Sequence, residues 1–185
     1  SLRKALGDDG ETQRIKLGPV TVEAEAIVDF ARQFDPQPFH LSEEAGKASL
    51  FGGLAASGWH TASLTMRLMC DGFLLDSSSL GSPGLDSLKW HKPVLVGDEL
   101  TARMTVLNSR PMNSKPHVGL VHTRWETVNQ RDELVMTIES WAMFRRRTPG
   151  EAAQRAMAAR GVPAEFHAIA HERVAAINAA WDVVE

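Results

Sequence analysis

The segment Asp35-Pro36-Gln37-Pro38-Phe39-His40 holds the residues best placed by type and spacing to do chemistry. Two prolines restrict the backbone between the aspartate and the histidine, so their side chains are confined to a narrow range of relative positions. An aspartate and a histidine converging on one water can divide proton transfer between them, because imidazole titrates near neutrality. A pair positioned in this way contributes ~10²–10⁴-fold to a rate. A plainer reading stays open at this point: Asp35 caps a turn or the Ser42 region, and His40 packs on Phe39.

A second feature lies downstream. Phe51-Gly52-Gly53-Leu54-Ala55-Ala56-Ser57-Gly58 is a run of small residues that lets backbone approach backbone or ligand closely. Ser57 can cap a helix that starts at Gly58, leaving first-turn amides free to face an anion or a polarised carbonyl. A thioester carbonyl lying there would have its developing enolate charge stabilised by ~3–4 kcal/mol per well-placed donor. An ordinary helix start with glycines for close packing is the alternative.

The elements that must position these residues can be read from periodicity. Arg14-Ile15-Lys16-Leu17 is strand-like, and Thr21 is a candidate cap for a helix through Ile27, Phe30 and Phe34. Pro36 disfavours helical geometry at Asp35, so that helix should stop there. Ser42 is a candidate cap for a short second helix. The helix after Gly58 carries Trp59, Ala62, Met66, Met69 and Phe73 as one apolar stripe, widened by Leu64, Leu68 and Leu75, so it should be buried around much of its circumference. Asp76 to Pro83 reads as a serine-rich loop, and thereafter the pattern alternates. Strands are expected over 100–106, 118–128 and 133–144, the last two joined by the turn Asn129-Gln130-Arg131-Asp132. Thr148-Pro149-Gly150-Glu151 has a capping-box pattern, Gly161 is a stop, and a final helix is expected with Phe166, Ile169, Ala170, Ile177 and Trp181 on one side.

Taken together, Phe34-Asp35-Pro36-Gln37-Pro38-Phe39-His40 and the glycine-rich run ending Ser57-Gly58-Trp59 resemble the MaoC-like dehydratase and R-specific enoyl-CoA hydratase family. That family's motif reads Asp, any residue, Asn, Pro, an apolar residue, His. Asp35, Pro38, Phe39 and His40 match it, while Gln37 replaces the Asn but retains an amide that can orient the loop. Trp90-His91-Lys92-Pro93-Val94-Leu95-Val96-Gly97-Asp98-Glu99-Leu100 also resembles the family's Pro-Val-x-x-Gly-Asp strand entry. The likeness covers roughly residues 12–146.

The resemblance implies an α+β hot-dog fold, a long central helix wrapped by a curved antiparallel sheet, over residues 1–147, with 148–185 as a helical C-terminal extension. It also implies a hydratase or dehydratase interconverting 2-enoyl and 3-hydroxyacyl thioesters of the R configuration. Asp35 and His40 would activate water. Gly58 would offer its N–H to the thioester oxygen, with Ser63 and Gln37 also on the substrate side. The implied partner is an acyl-CoA or acyl-carrier-protein thioester, in a homodimer or higher homo-oligomer. A hot-dog thioesterase shares the fold but usually places a carboxylate on the central helix, where Asp71, near the far end, is the only acid. A non-catalytic acyl-thioester-binding subunit is the third reading.

Composition narrows the field further. With 20 Lys and Arg against 23 Asp and Glu, net charge is -3, which gives no support to nucleic-acid binding. The single Cys70 has no disulfide or zinc companions, and in Leu68-Met69-Cys70 it reads as a packed thiol. His167 and His171 lack a third ligand, so no metal or cofactor is expected. His60 is read as a packing residue, and Arg145-Arg146-Arg147 as a solvated edge. No apolar run reaches the length of a membrane span and no secretory segment is evident, so a soluble cytoplasmic protein is expected.

Overall fold

A computed structural model describes residues 14–146; the expected extension at 148–185, with its capping box and last helix, lies outside these residues. Strand β1 (Arg14–Thr21) leads into helix α1 (Ala24–Phe34), the single turn α2 (Pro38–Leu41) and the short α3 (Glu43–Ala48). Helix α4 (Gly58–Met69) comes next and continues as a π-helical turn over Cys70–Leu74. Four strands complete the fold: β2 (Ser79–Trp90), β3 (Glu99–Met112), β4 (Lys115–Val128) and β5 (Leu134–Arg145). They form one antiparallel sheet with β1, in the order β1-β3-β4-β5-β2.

The inner face of the sheet and α4 enclose the core. Trp125 of β4 is almost wholly buried and stacks on Phe73 with ring centroids 5.7 Å apart. Leu100, Ala102 and Met104 of β3 join Met136 and Ile138 of β5 on the same side. The alternation read from the sequence therefore holds, with Met104 opposite Trp125 and Trp125 opposite Ile138 in the ladder. The turn between β4 and β5 falls at Asn129–Asp132 as expected, with Asp132 at φ 61°.

Four expectations need correction. Thr21 does not cap α1: it is the last residue of β1, paired with Glu99, and Glu23 precedes the helix with no side-chain cap. Sheet pairing, invisible to local sequence, takes the residue that a cap would have used. The segment expected to be a loop as far as Pro83 becomes strand from Ser79, with register shifts around Gly81 and Gly84. Pro83 is tolerated there because β2 is an edge strand. Strand β3 runs on to Met112 instead of ending near Val106. Finally, the helix that starts at Gly58 is not buried around as much of its circumference as its apolar residues suggested. Trp59 is 58% exposed, Met66 49% and Leu75 68%, while His60, Thr61 and Thr65 are buried. The threonines fit because their hydroxyls are satisfied locally: Thr65 Oγ1 donates to the Thr61 carbonyl at 3.0 Å and lies 2.9 Å from Thr127 Oγ1. Ala62, Leu64, Leu68, Met69 and Phe73 still pack on the core.

The Pro93–Asp98 segment braces the start of α4. Gly97 takes φ 84°, and the buried Asp98 accepts from Leu95 N–H at 2.9 Å and from Gln130 Nε2 at 3.0 Å. Ala56 N–H donates to the Val94 carbonyl at 2.8 Å and Val96 N–H to the Leu54 carbonyl at 3.1 Å. The residues just before α4 are thus sewn to the entry of β3. Gly46 completes the brace from the other side, since a Cβ there would lie 2.3 Å from the Gly53 carbonyl oxygen.

Candidate active site

Asp35 ends α1 as its C-cap, with its N–H donating to the Ala31 carbonyl. The helix stops at Phe34, as Pro36 requires. The stretch beyond it is not a plain loop, however: Pro38 opens α2, a single turn that carries His40 in its third position. His40 is buried, with Nδ1 2.7 Å from the Ala55 carbonyl oxygen. A carbonyl only accepts, so Nδ1 bears a proton and Nε2 is the ring nitrogen turned toward Asp35. Nε2 lies 3.5 Å from Asp35 Oδ2. His40 also meets Phe39 edge-on at 4.6 Å, so the packing contact considered from sequence exists alongside the pairing with Asp35.

The Asp35 carboxylate is held on both oxygens. Ser57 Oγ donates to Oδ2 at 2.7 Å and Gln37 Nε2 donates to Oδ1 at 2.7 Å. The Ser57 hydrogen bond is the main reason that the carboxyl sits below its ordinary pKa, with Gln37 and the His40 charge adding to it against the cost of partial burial. Asp35 is therefore ionised near neutrality. Ser57 also accepts from Trp59 N–H at 3.3 Å, so one hydroxyl caps α4 and anchors the carboxylate. That second role escaped the reading of the sequence, where Ser57 was only a cap; a free O–H left over at a capping serine was the available signal.

Gly58 begins α4, and its N–H meets no acceptor among the described residues. Its carbonyl accepts from Trp90 Nε1 at 2.9 Å. Asp35, Gln37, His40 and Gly58 all line one open cavity of about 460 Å³. Phe39, Phe51, Trp59, Trp90, Pro93 and Val94 supply its apolar walls. Trp90 was not assigned to the site from sequence, because only the sheet brings the end of β2 against the start of α4. Ser63 is not brought there. It is exposed, donates to the Trp59 carbonyl at 2.8 Å, and is absent from the cavity lining.

His60 is buried, stacks on Phe30 at 4.8 Å, and has no hydrogen-bond partner for Nδ1 among the described residues. Burial lowers its pKa, so it packs as a neutral ring between α1 and α4. Among the described residues no cluster of three or more His, Cys, Asp or Glu side chains is arranged to hold a metal ion.

The site can thus present an ionised carboxylate and an imidazole nitrogen to one small molecule, beside a free amide at a helix start. Removing the Ser57 hydroxyl tests the carboxylate's setting. In Ser57→Ala the Asp35 pKa rises, so the acid limb of any activity that needs the ionised form moves to higher pH. A full pH–rate profile checks this, and an unmoved acid limb would show that the hydroxyl does not set the titration.

Comparison with known proteins identifies the family and the fold. The family described as MaoC like domain matches residues 10–129. The uncharacterized protein YdeM of Bacillus subtilis (strain 168) is 30% identical over 135 residues, covering 72% of this chain and 94% of YdeM. The crystal structure of a MaoC-like dehydratase from Rhodospirillum rubrum is 46% identical and superposes with a TM-score of 0.69, covering 74% of this chain and 93% of that one. An (R)-hydratase from A. caviae involved in PHA biosynthesis is 28% identical with a TM-score of 0.53, covering 74% of this chain and 98% of that one. The antiparallel sheet packed on one central helix is the hot-dog fold of these neighbours. No helix among the described residues is long and apolar enough to cross a membrane.

Proposed function

The chain belongs to the MaoC-like domain family, and from that premise we propose that it interconverts a 2-enoyl thioester and its (R)-3-hydroxyacyl form by adding or removing water. The observation that carries this reading is the pairing of His40 Nε2 with the Asp35 carboxylate at 3.5 Å, on the wall of a cavity that Gly58 also lines. A water held between Asp35 Oδ2 and His40 Nε2 gives up a proton to the pair as its oxygen bonds to C3. The pair returns a proton to C2, so one water is consumed and no other reactant is needed. Electron density shifted onto the thioester oxygen during attack is met by the Gly58 N–H at the start of α4. Gln37 and Ser57 hold the carboxylate in place.

A thioesterase reading finds less support, because Asp71 lies beyond α4 in the π-helical turn and is engaged by Arg67 Nε at 2.8 Å. The exposed Trp59, Met66, Leu85 and Trp90, beside the free edge of β2, favour a homodimer whose second copy covers this side and closes the cavity. We place the reaction in the cytoplasm, on an acyl-CoA or carrier-protein thioester.

The test is direct. Purified protein with crotonyl-CoA should deplete the enoyl absorbance without releasing thiol, and should yield (R)-3-hydroxybutyryl-CoA. Thiol release without hydration would support the thioesterase instead. Thermal stabilisation by enoyl thioesters without turnover would support a binding subunit.

A further inference from the structure

His40 Nδ1 meets the Ala55 carbonyl oxygen at 2.7 Å, so the direction in which Nε2 faces Asp35 depends on where residue 55 is held. Three contacts hold that segment. A bridge to the entry of β3 pairs Ala55 with Leu95, with Ala56 N–H on the Val94 carbonyl and Val96 N–H on the Leu54 carbonyl. The Ala55 N–H reaches the Phe39 carbonyl at 3.4 Å, a long bond that leaves play between the segment and α2. The third contact comes from α3. Glu43 Oε2 accepts from the Leu54 N–H at 3.0 Å, and that N–H has no backbone acceptor among the described residues. Gly46 lets α3 lie flush against the same peptide, since a Cβ on it would stand 2.7 Å from Leu54 N.

A closed ring results. It runs from the imidazole to the Ala55 carbonyl, back one residue to the Leu54 N–H, across to the Glu43 carboxylate, and along the chain from Glu43 to His40. The short stretch between those two residues is itself fixed, because Ser42 Oγ caps α3 by accepting from Ala45 N–H at 3.1 Å. The Glu43 carboxyl lies below its ordinary pKa, mainly because the Leu54 N–H donates to it, with Lys47 adding to this at 3.1 Å from Oε1. The anchor therefore stands at neutral pH and is lost only as the pH falls through that lowered value. Glu43 is absent from the cavity lining, so any part it has in the chemistry is exerted through other residues. We propose that Glu43 is a positioning residue, holding the Leu54–Ala55 peptide so that the Ala55 carbonyl aims His40 Nε2 at Asp35.

Glu43→Ala removes the acceptor. With crotonyl-CoA its kcat should fall about tenfold while KM stays within about twofold of wild type. Glu43→Gln, whose amide oxygen can still accept from the Leu54 N–H, should restore kcat. Glu43→Asp keeps the charge but is one methylene shorter, and should behave as the alanine variant does. Lys47→Ala removes only the surface pair on Oε1 and should change nothing. The imidazole is read directly by proton–nitrogen correlation NMR, with the His40 signals assigned by their loss in His40→Gln. The His40 Nδ1–H should exchange slowly in wild type and Glu43→Gln, and be broadened or lost in Glu43→Ala and Glu43→Asp. Wild-type kcat in Glu43→Ala, or equal losses in the alanine and glutamine variants, would overturn the proposal. If Glu43→Ala does not fold, Glu43→Asp against Glu43→Gln makes the same comparison. The kinetic arm rests on the hydratase reading, and the spectrum does not. If the wild type turns over no enoyl thioester, that reading fails and the NMR decides alone. A His40 signal lost with the anchor and kept in Glu43→Gln upholds the role of Glu43; one indifferent to every substitution overturns it.

Discussion

Asp35→Asn is expected to lower kcat for enoyl-thioester hydration by ~10²–10⁴-fold while leaving the fold intact. The substitution keeps the shape of the side chain and removes its charge. It also puts an NH₂ group where a carboxylate oxygen now accepts from either Ser57 Oγ or Gln37 Nε2, so one donor faces another. His40→Ala should cost a similar factor in kcat and also destabilise the protein by about 1–3 kcal/mol, because the buried Ala55 carbonyl loses its 2.7 Å partner. His40→Gln, with an amide able to reach that carbonyl, should recover stability without activity. If the two residues act as a unit on one water, the double variant should be little worse than either single one. Enoyl absorbance and a thermal melt on each variant decide the matter. Turnover within a few-fold of wild type in both single variants would remove the pair from the mechanism.

Gly58→Ala should damage both stability and substrate binding through Trp90. An added Cβ would stand 2.6 Å from Trp90 Cε2 and 2.8 Å from Nε1, closer than carbon atoms tolerate. The indole must then leave its place, breaking its 2.9 Å bond to the Gly58 carbonyl and its edge contact with Trp59 at 5.4 Å. A loss of about 1–3 kcal/mol is expected from such overpacking. KM should rise about tenfold as the indole intrudes on the cavity that it now walls. Trp90→Ala in the Gly58→Ala background removes the crowding. The double variant should therefore be no less stable than Trp90→Ala alone, a strongly non-additive cycle measurable by urea denaturation. A Gly58→Ala protein that melts with the wild type would show that the indole is not locked against α4.

These two variants divide along a line that also separates what could be read early from what could not. Asp35 was found by residue type, and its position at a helix end followed from Pro36 alone. Helix starts at Ser42 and Ser57 were equally local, since a cap is a contact within three residues. The strand pattern of β3, β4 and β5 was visible because one face of each must be apolar. Trp90, by contrast, reaches Gly58 across 32 residues, and nothing in its neighbourhood announces that contact. The apolar stripe of α4 misled for a related reason. Trp59 and Met66 lie on the exposed side that we assign to a second copy, whereas Thr61 and Thr65 are buried, Thr65 against Thr127 of β4.

The sequence by itself determined the chemistry available and the local geometry of its carriers: an acid and a base on either side of two prolines, a capped helix start, and alternating strands long enough to cover a helix. Only the tertiary structure decided which of these meet. It directed Ser57 to the carboxylate, the Ala55 carbonyl to His40 Nδ1, and Trp90 to Gly58, and it left Ser63 outside the cavity. The reason is physical. Caps, prolines and periodicity act over a few residues, while the direction in which a side chain points depends on packing and hydrogen bonds closed between segments 15 to 32 positions apart.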